Sequence, residues 1–211
     1  MLWKPLEPTL EEIEENCKLY LERQVLYRDF GYDRELAMNF ILDTAGDIEP
    51  PVLDIGTGKG FTATELARRG VPVSSVDISD ELMRGAFLFA KAAGVDGLIE
   101  YNIADANELP FDGEKFNLVV MVNALHHLEE FNGVLSEISR VLKPGGRLLV
   151  TDFTEEGFSI LDRIHESEGG VHERAGTHGI DDVAAALPGV GLACRGRDTR
   201  FHQWVLIAEK L

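Results

Sequence analysis

Apolar positions along the chain recur with two different periods. Near the start, Leu10, Ile13, Cys17, Tyr20 and Leu21 fall at helical spacing, and Thr9 followed three places on by Glu12 makes the capping box that opens such a helix. A second helical stripe of Leu36, Ala37, Phe40 and Ile41 follows Asp33, whose carboxylate suits an N-cap, and stops at Gly46. After Pro50 and Pro51 the pattern changes. Val52, Leu53 and Ile55 form the short apolar run of a strand covered on both faces, and strand-like and helical stretches then alternate. The spacing predicts a strand at 52–55, a helix at 61–69 stopped by Gly70, a strand at 72–77, a helix at 80–93 and a strand at 98–102. A second half follows, with a strand at 116–123, a helix at 131–142, "KPGG" as a turn at 143–146, and a strand at 147–153. Two more helical stretches, 158–165 and 181–187, precede apolar-rich runs at 192–197 and 201–208 that can pair as a hairpin. The chain therefore reads as an α/β fold built from βαβ units, preceded by helices.

Size and charge narrow this reading. The 211 residues suffice for one core with helices on both faces of a sheet, so one domain over 1–211 is expected. Within it, 1–49 would be a helical lid or cover and 50–211 the core. A formal net charge of -17 without any cluster of Lys and Arg argues against nucleic acid as a partner. Cys17 and Cys194 form no C-x-x-C and suggest neither zinc nor a redox pair. The acidic, proline-broken start lacks the basic flank and apolar stretch of a signal peptide, and no long apolar span suggests insertion in a membrane. A cytoplasmic protein is expected, and a homodimer is compatible with the sequence.

Candidate chemistry centres on "VLDIGTGKG", residues 52–60. Gly56, Gly58 and Gly60 alternate directly after a strand and before a helix, which brings bare backbone against a ligand. A nicotinamide- or flavin-binding loop would carry its third glycine one place later, where this chain has Phe61. Asp77 ends the second strand near the spacing of a ribose-binding acid; its other reading is a loop acid or a helix cap. Asp105, between Ala104 and Ala106, is by itself a solvated acid.

The series from Val52 to Phe153 resembles the class I S-adenosylmethionine-dependent methyltransferases. D-x-G-x-G-x-G with Asp54 at its head is similar to their first motif, and "FNLVVMVNALHHL" and "VLKPGGRLLVTDF" resemble their fourth- and fifth-strand segments, in the right order. The resemblance is nearest to the small-molecule group that includes the quinone-biosynthesis C-methyltransferases. It implies a Rossmann-like three-layer fold with a seven-stranded, mostly parallel sheet in the order 3-2-1-4-5-7-6, strand seven antiparallel. It also implies S-adenosylmethionine as cofactor, S-adenosylhomocysteine as product and a small-molecule methyl acceptor. By that resemblance Asp54, Gly56 and Gly58 meet the methionine part, Asp77 the ribose, Ile78 and Asp105 the adenine, Gly60 and Ala106 also belong to the cofactor site, and Asn123 closes the site near the methyl group.

His126 and His127 follow Asn123 closely, and either ring is a candidate base toward an acceptor, with His126 preferred; the other reading is orientation or packing. "DRIHESEGGVHERAGTHG" brings His165, His172 and His178 among glutamates, but the spacing matches no closed zinc pattern. It reads as a solvated acidic loop or a lining for substrate. A lid role for the first helix would bring Tyr20 or Tyr27 to the site; the other reading is a cover for the sheet's flank or a dimer contact. A nicotinamide-dependent oxidoreductase and a non-catalytic S-adenosylmethionine-binding regulatory module stand as the alternative functions.

Overall fold

A computed structural model describes residues 2–171, 174–176 and 178–211. Helices α1 (Leu10–Asp29) and α2 (Arg34–Thr44) come first, each started as its sequence requires. Thr9 and Glu12 form the reciprocal capping box, and the Asp33 carboxylate accepts from the backbone N–H of Glu35 and Leu36. Strands β1 (Val52–Ile55), β2 (Val73–Asp77), β3 (Ile99–Ile103), β4 (Phe116–Val122), β5 (Leu142–Phe153), β6 (Leu192–Arg200) and β7 (Gln203–Lys210) then form one sheet in the order β3-β2-β1-β4-β5-β7-β6. The first five run parallel, and β7 is antiparallel to both β5 and β6. This is the expected Rossmann-like arrangement. The connecting helices are α3 (Phe61–Arg68), α4 (Asp80–Ala92), α5 (Asn132–Val141), α6 (Glu155–Ser167) and α7 (Ile180–Ala186).

Alternation along the strands feeds two cores. Leu53, Ile55, Val119, Met121, Leu148 and Val150 face α5 and α7, whereas Val52, Leu118, Val120 and Leu149 face α2, α3 and α4. A third, smaller core lies at the carboxyl end of the sheet, where Tyr27 and Tyr32 from the α1–α2 corner meet Phe153 and the α6 residues Ile160, Leu161 and Ile164. That cluster positions the site, because ligands in open α/β sheets bind beyond the carboxyl ends of the strands.

Three details differ from the sequence reading. The inner face of α1 runs through half-buried Ile13, Cys17 and Tyr20 to buried Gln24 and Tyr27, while Leu10 and Leu21 are 78% and 62% exposed. Leu21 stands one residue, about 100° of helix, from Tyr20, and α4 accepts only one of the two positions. Strand β5 begins at Leu142, with Lys143–Gly146 absorbed as an irregularity between the pairs Phe116↔Leu142 and Leu118↔Arg147. The terminal hairpin turns at Phe201 and His202, at φ 51 and 63, so Phe201 belongs to the turn and not to the last strand. A two-residue hairpin turn with positive φ at both positions usually draws on Asn or Gly, and neither signal is present here.

Candidate functional site

Beyond the ends of β1, β4 and β5 lies a cavity of about 520 Å³, a size usual for small-molecule sites. Its floor is the β1–α3 loop. Gly56, Gly58 and Gly60 all have left-handed backbones, at φ 71, 54 and 80, but they serve different ends. A Cβ on Gly56 would stand 2.6 Å from the Ala124 Cβ, and one on Gly60 would stand 2.8 Å from the Ala86 Cα of α4. Those two let backbone pack on backbone. Gly58 has nothing closer than 3.9 Å to such a Cβ and, with Gly56, lines the cavity; Gly60 does not. Bare backbone facing open space is what a close-approaching ligand requires. Helix α3 starts at this loop without a side-chain cap, so its first N–H groups remain for an anionic group.

Two acids hold the floor from below. Asp54 is buried, accepts a hydrogen bond from the Thr57 hydroxyl at 3.0 Å and does not line the cavity. Burial pushes its carboxyl up to about 7, with the Asp77 charge adding to the rise. Asp77 is 8% exposed; one oxygen accepts from the Gly58 N–H at 2.7 Å and the other from the Ser79 N–H at 2.9 Å. Each carboxylate oxygen keeps a second lone pair for a ligand hydroxyl. Beside it Ile78 is 71% exposed, a large apolar side chain left in solvent at the end of β2. Asp105 is exposed and accepts from the backbone and side-chain nitrogens of Asn107 at 2.8 and 3.0 Å, with Ala106 between them. Asp77, Ile78, Asp105 and Ala106 lie outside the cavity lining, on the β2–β3 side.

The wall nearest β4 and β5 carries Asn123, His126 and His127. Asn123 has φ 52, and its buried side-chain oxygen has no hydrogen-bond partner. A buried orphan acceptor at a cavity is a place for a ligand's donor. His126 is buried, and its Nδ1 lies 2.8 and 2.9 Å from the two oxygens of buried Asp152. Asp152 also accepts from the His126 backbone N–H at 2.9 Å, which fixes the ring's base as well as its edge. Nδ1 is thereby committed, and any proton the ring takes from the cavity enters at Nε2. The His127 ring lies 4.0 Å from that of His126, and partial burial, with the neighbouring His126, holds its pKa below the ordinary value. Asp152 was not among the sequence candidates. Its signal was an acid within the apolar run of a central strand, which must find a partner to be buried.

The roof comes from α1, α2 and α6. Tyr20 lies 4.2 Å from the Phe89 ring and 5.0 Å from that of Phe61, and both Tyr20 and Tyr27 line the cavity. Buried Tyr32, its hydroxyl pushed up to about 12 by burial, accepts from Gln203 at 3.0 Å. Arg23, Arg34, Lys59 and Arg68 line the same space, unforeseen from sequence. His165 reaches the cavity; His178 instead packs its ring on Phe131 and lies 3.0 Å from the Glu129 carbonyl. His172 lies outside the described residues. No metal-holding group occurs among the described residues, and none of their helices is long and apolar enough to cross a membrane.

Comparison with known proteins agrees with this geometry. Residues 53–150 match the family described as "Methyltransferase domain". The chain is 38% identical over 103 residues to 27-O-demethylrifamycin SV methyltransferase of Amycolatopsis mediterranei, covering 48% of this chain and 38% of that one. It is 34% identical over 138 residues to demethylmenaquinone methyltransferase of Tropheryma whipplei, covering 59% and 55%. The matches thus span about half, or less, of the length of these relatives. Among solved structures, the PH0226 protein from Pyrococcus horikoshii superposes with a TM-score of 0.73 at 22% identity, over 84% of this chain and 90% of that one.

Proposed function

With residues 53–150 matching a methyltransferase domain, we propose that this chain belongs to the S-adenosylmethionine-dependent family and moves a methyl group from that cofactor to a small-molecule acceptor. The observation that carries the reading is the open Gly58 backbone, tied to Asp77, under a cavity walled by Asn123 and the His126–Asp152 pair. The residues fit the cofactor. Gly56 and Gly58 give its methionine part a bare floor, the uncapped start of α3 suits its carboxylate, and the orphan Asn123 oxygen suits its ammonium. Asp77 would take the ribose hydroxyls, and exposed Ile78 with the Asp105–Ala106 turn would hold the adenine. Asp54 supports the loop from below. When bound, the cofactor supplies a methyl group already activated by a sulfonium charge.

The chain then has to align, exclude water and accept a proton. His126, oriented by Asp152, takes the acceptor's proton at Nε2, and the Asp152 carboxylate stabilises the resulting imidazolium. We read 1–49 as the cover and 50–211 as the core of one domain, with α1 closing the methionine end through Tyr20. The same reading puts the chain in the cytoplasm, where an exposed thiol such as Cys194 stays reduced.

Calorimetry with S-adenosylhomocysteine and transfer of labelled methyl from S-adenosylmethionine test the proposal together. Binding with transfer supports it, and binding without transfer to any acceptor favours a regulatory module. Dinucleotide binding in place of S-adenosylhomocysteine would turn the reading toward an oxidoreductase. Hydrogen exchange across 10–29 should slow on adding S-adenosylhomocysteine; an unchanged rate removes the lid role.

A further inference from the structure

The cavity carries more positive charge than the proposed cofactor can neutralise. Arg23, Arg34, Lys59 and Arg68 line it, against two glutamates, Glu35 and Glu65, of which Glu65 pairs with Arg68 at 3.7 Å, in a chain whose net charge is -17. Arg23 pairs with Glu168 at 3.1 Å, whereas neither Arg34 nor Lys59 forms an ion pair among the described residues. Arg34 lies instead on aromatic faces, 3.5 Å from the centre of the Tyr27 ring and 4.8 Å from that of Phe61. Its Nη1 is buried with no acceptor, as is Nε of Arg23. Lys59 is exposed, and desolvation together with the charges of Arg23 and Arg34 lowers its proton affinity against the opposing charge of Glu168. Like charges are held together here at a cost, and buried guanidinium donors are left without partners, an arrangement that an anionic ligand relieves.

This step rests on the function proposed above. The cofactor brings one carboxylate with one ammonium, and its sulfonium adds a further positive charge. Its binding therefore leaves the surplus in place, and the second substrate must supply the negative charge. The same space is walled by the rings of Tyr20, Tyr27 and Phe61, which suit an apolar, planar body. We propose that the methyl acceptor is an organic acid, its anionic group held by Arg23, Arg34 and Lys59 and its ring or chain by the aromatic wall.

Calorimetry on the whole chain tests this in two stages. S-adenosylhomocysteine is titrated first; absence of binding overturns the methyltransferase reading and this inference with it. At saturating S-adenosylhomocysteine, aromatic acids are then compared with their isosteric amides: benzoate with benzamide, cinnamate with cinnamamide, 4-hydroxybenzoate with its amide. At least one acid should bind about tenfold or more tightly than its amide, and Lys59→Met should cut that preference about threefold or more. Equal affinities in every pair, including no binding of either member, overturn the proposal. So does an acid that binds the free chain and is displaced by S-adenosylhomocysteine, since the cations then serve the cofactor's carboxylate alone.

Discussion

The floor and the roof of the cavity are made of different material. In the floor, the Gly56 N–H is bonded to the Val76 carbonyl at 2.9 Å, that of Gly58 to Asp77 at 2.7 Å, and the Thr57 hydroxyl to Asp54 at 3.0 Å. The roof is assembled from rings and long cationic side chains, and two of its guanidinium nitrogens have no acceptor. A floor with its bonds already made suits a ligand that never changes. A roof with bonds left to make is where an acceptor can be selected. One cavity can thus hold a fixed cofactor site and an adjustable substrate site.

The His126–Asp152 pair stands between the two and gives the largest expected effect. At saturating S-adenosylmethionine, His126→Ala should lower turnover about 100-fold or more while the S-adenosylhomocysteine dissociation constant stays nearly unchanged. Asp152→Asn should lower it in the same direction, because an amide cannot stabilise the charged ring. A loss of cofactor affinity that accounts for the whole loss of rate would assign the pair to the floor.

The floor was legible in the sequence and the roof was not, for a physical reason. Gly56, Gly58, Gly60 and Asp77 act through strand ends and turns, which local spacing specifies. Arg23 and Arg34 look like ordinary polar positions until packing brings α1 and α2 over the loop, and nothing in their own neighbourhoods marks them. The strand order was legible because apolar alternation and βαβ linkage admit few topologies. The hairpin turn at Phe201 and His202 was missed because its backbone is imposed by the pairing of β6 with β7 and not by its residues.

Asp54 probes what the floor costs in its free state. A carboxyl near 3.8 in the unfolded chain and about 7 in the folded one contributes stability that is fully present below pH 3.8 and lost as pH rises through 7. The withdrawal amounts to about 4 kcal/mol at most, from the size of that rise. In the absence of ligand, Asp54→Asn should therefore gain stability relative to the native chain between pH 4 and 8, and then level off. Thermal melts at pH 5 and pH 8 measure it, and a constant gap between the two proteins would mean the carboxyl is not held neutral.

Asp77→Ala is expected to act on binding, by about 2 kcal/mol or more, since it strands ligand hydroxyls and frees the Gly58 N–H together. An unchanged S-adenosylhomocysteine affinity would take Asp77 out of the site and leave it as a support for the loop.

The smallest effect is a difference between two neighbouring glycines, and it separates the floor's packing from its contact with ligand. Both have left-handed backbones, at φ 71 for Gly56 and 54 for Gly58, so an alanine at either meets a similar backbone strain of about 1–2 kcal/mol. Gly56→Ala adds a methyl 2.6 Å from that of Ala124, in the turn after β4, whereas Gly58→Ala points into open space. Gly56→Ala should accordingly be the less stable by about 1 kcal/mol or more in urea melts, from overpacking alone. Affinity should rank the other way once the folded fraction is accounted for, because only the methyl at 58 occupies volume the ligand needs. If Gly58→Ala binds S-adenosylhomocysteine as the native chain does, the ligand does not lie on this loop, and the floor is a turn that happens to face a cavity.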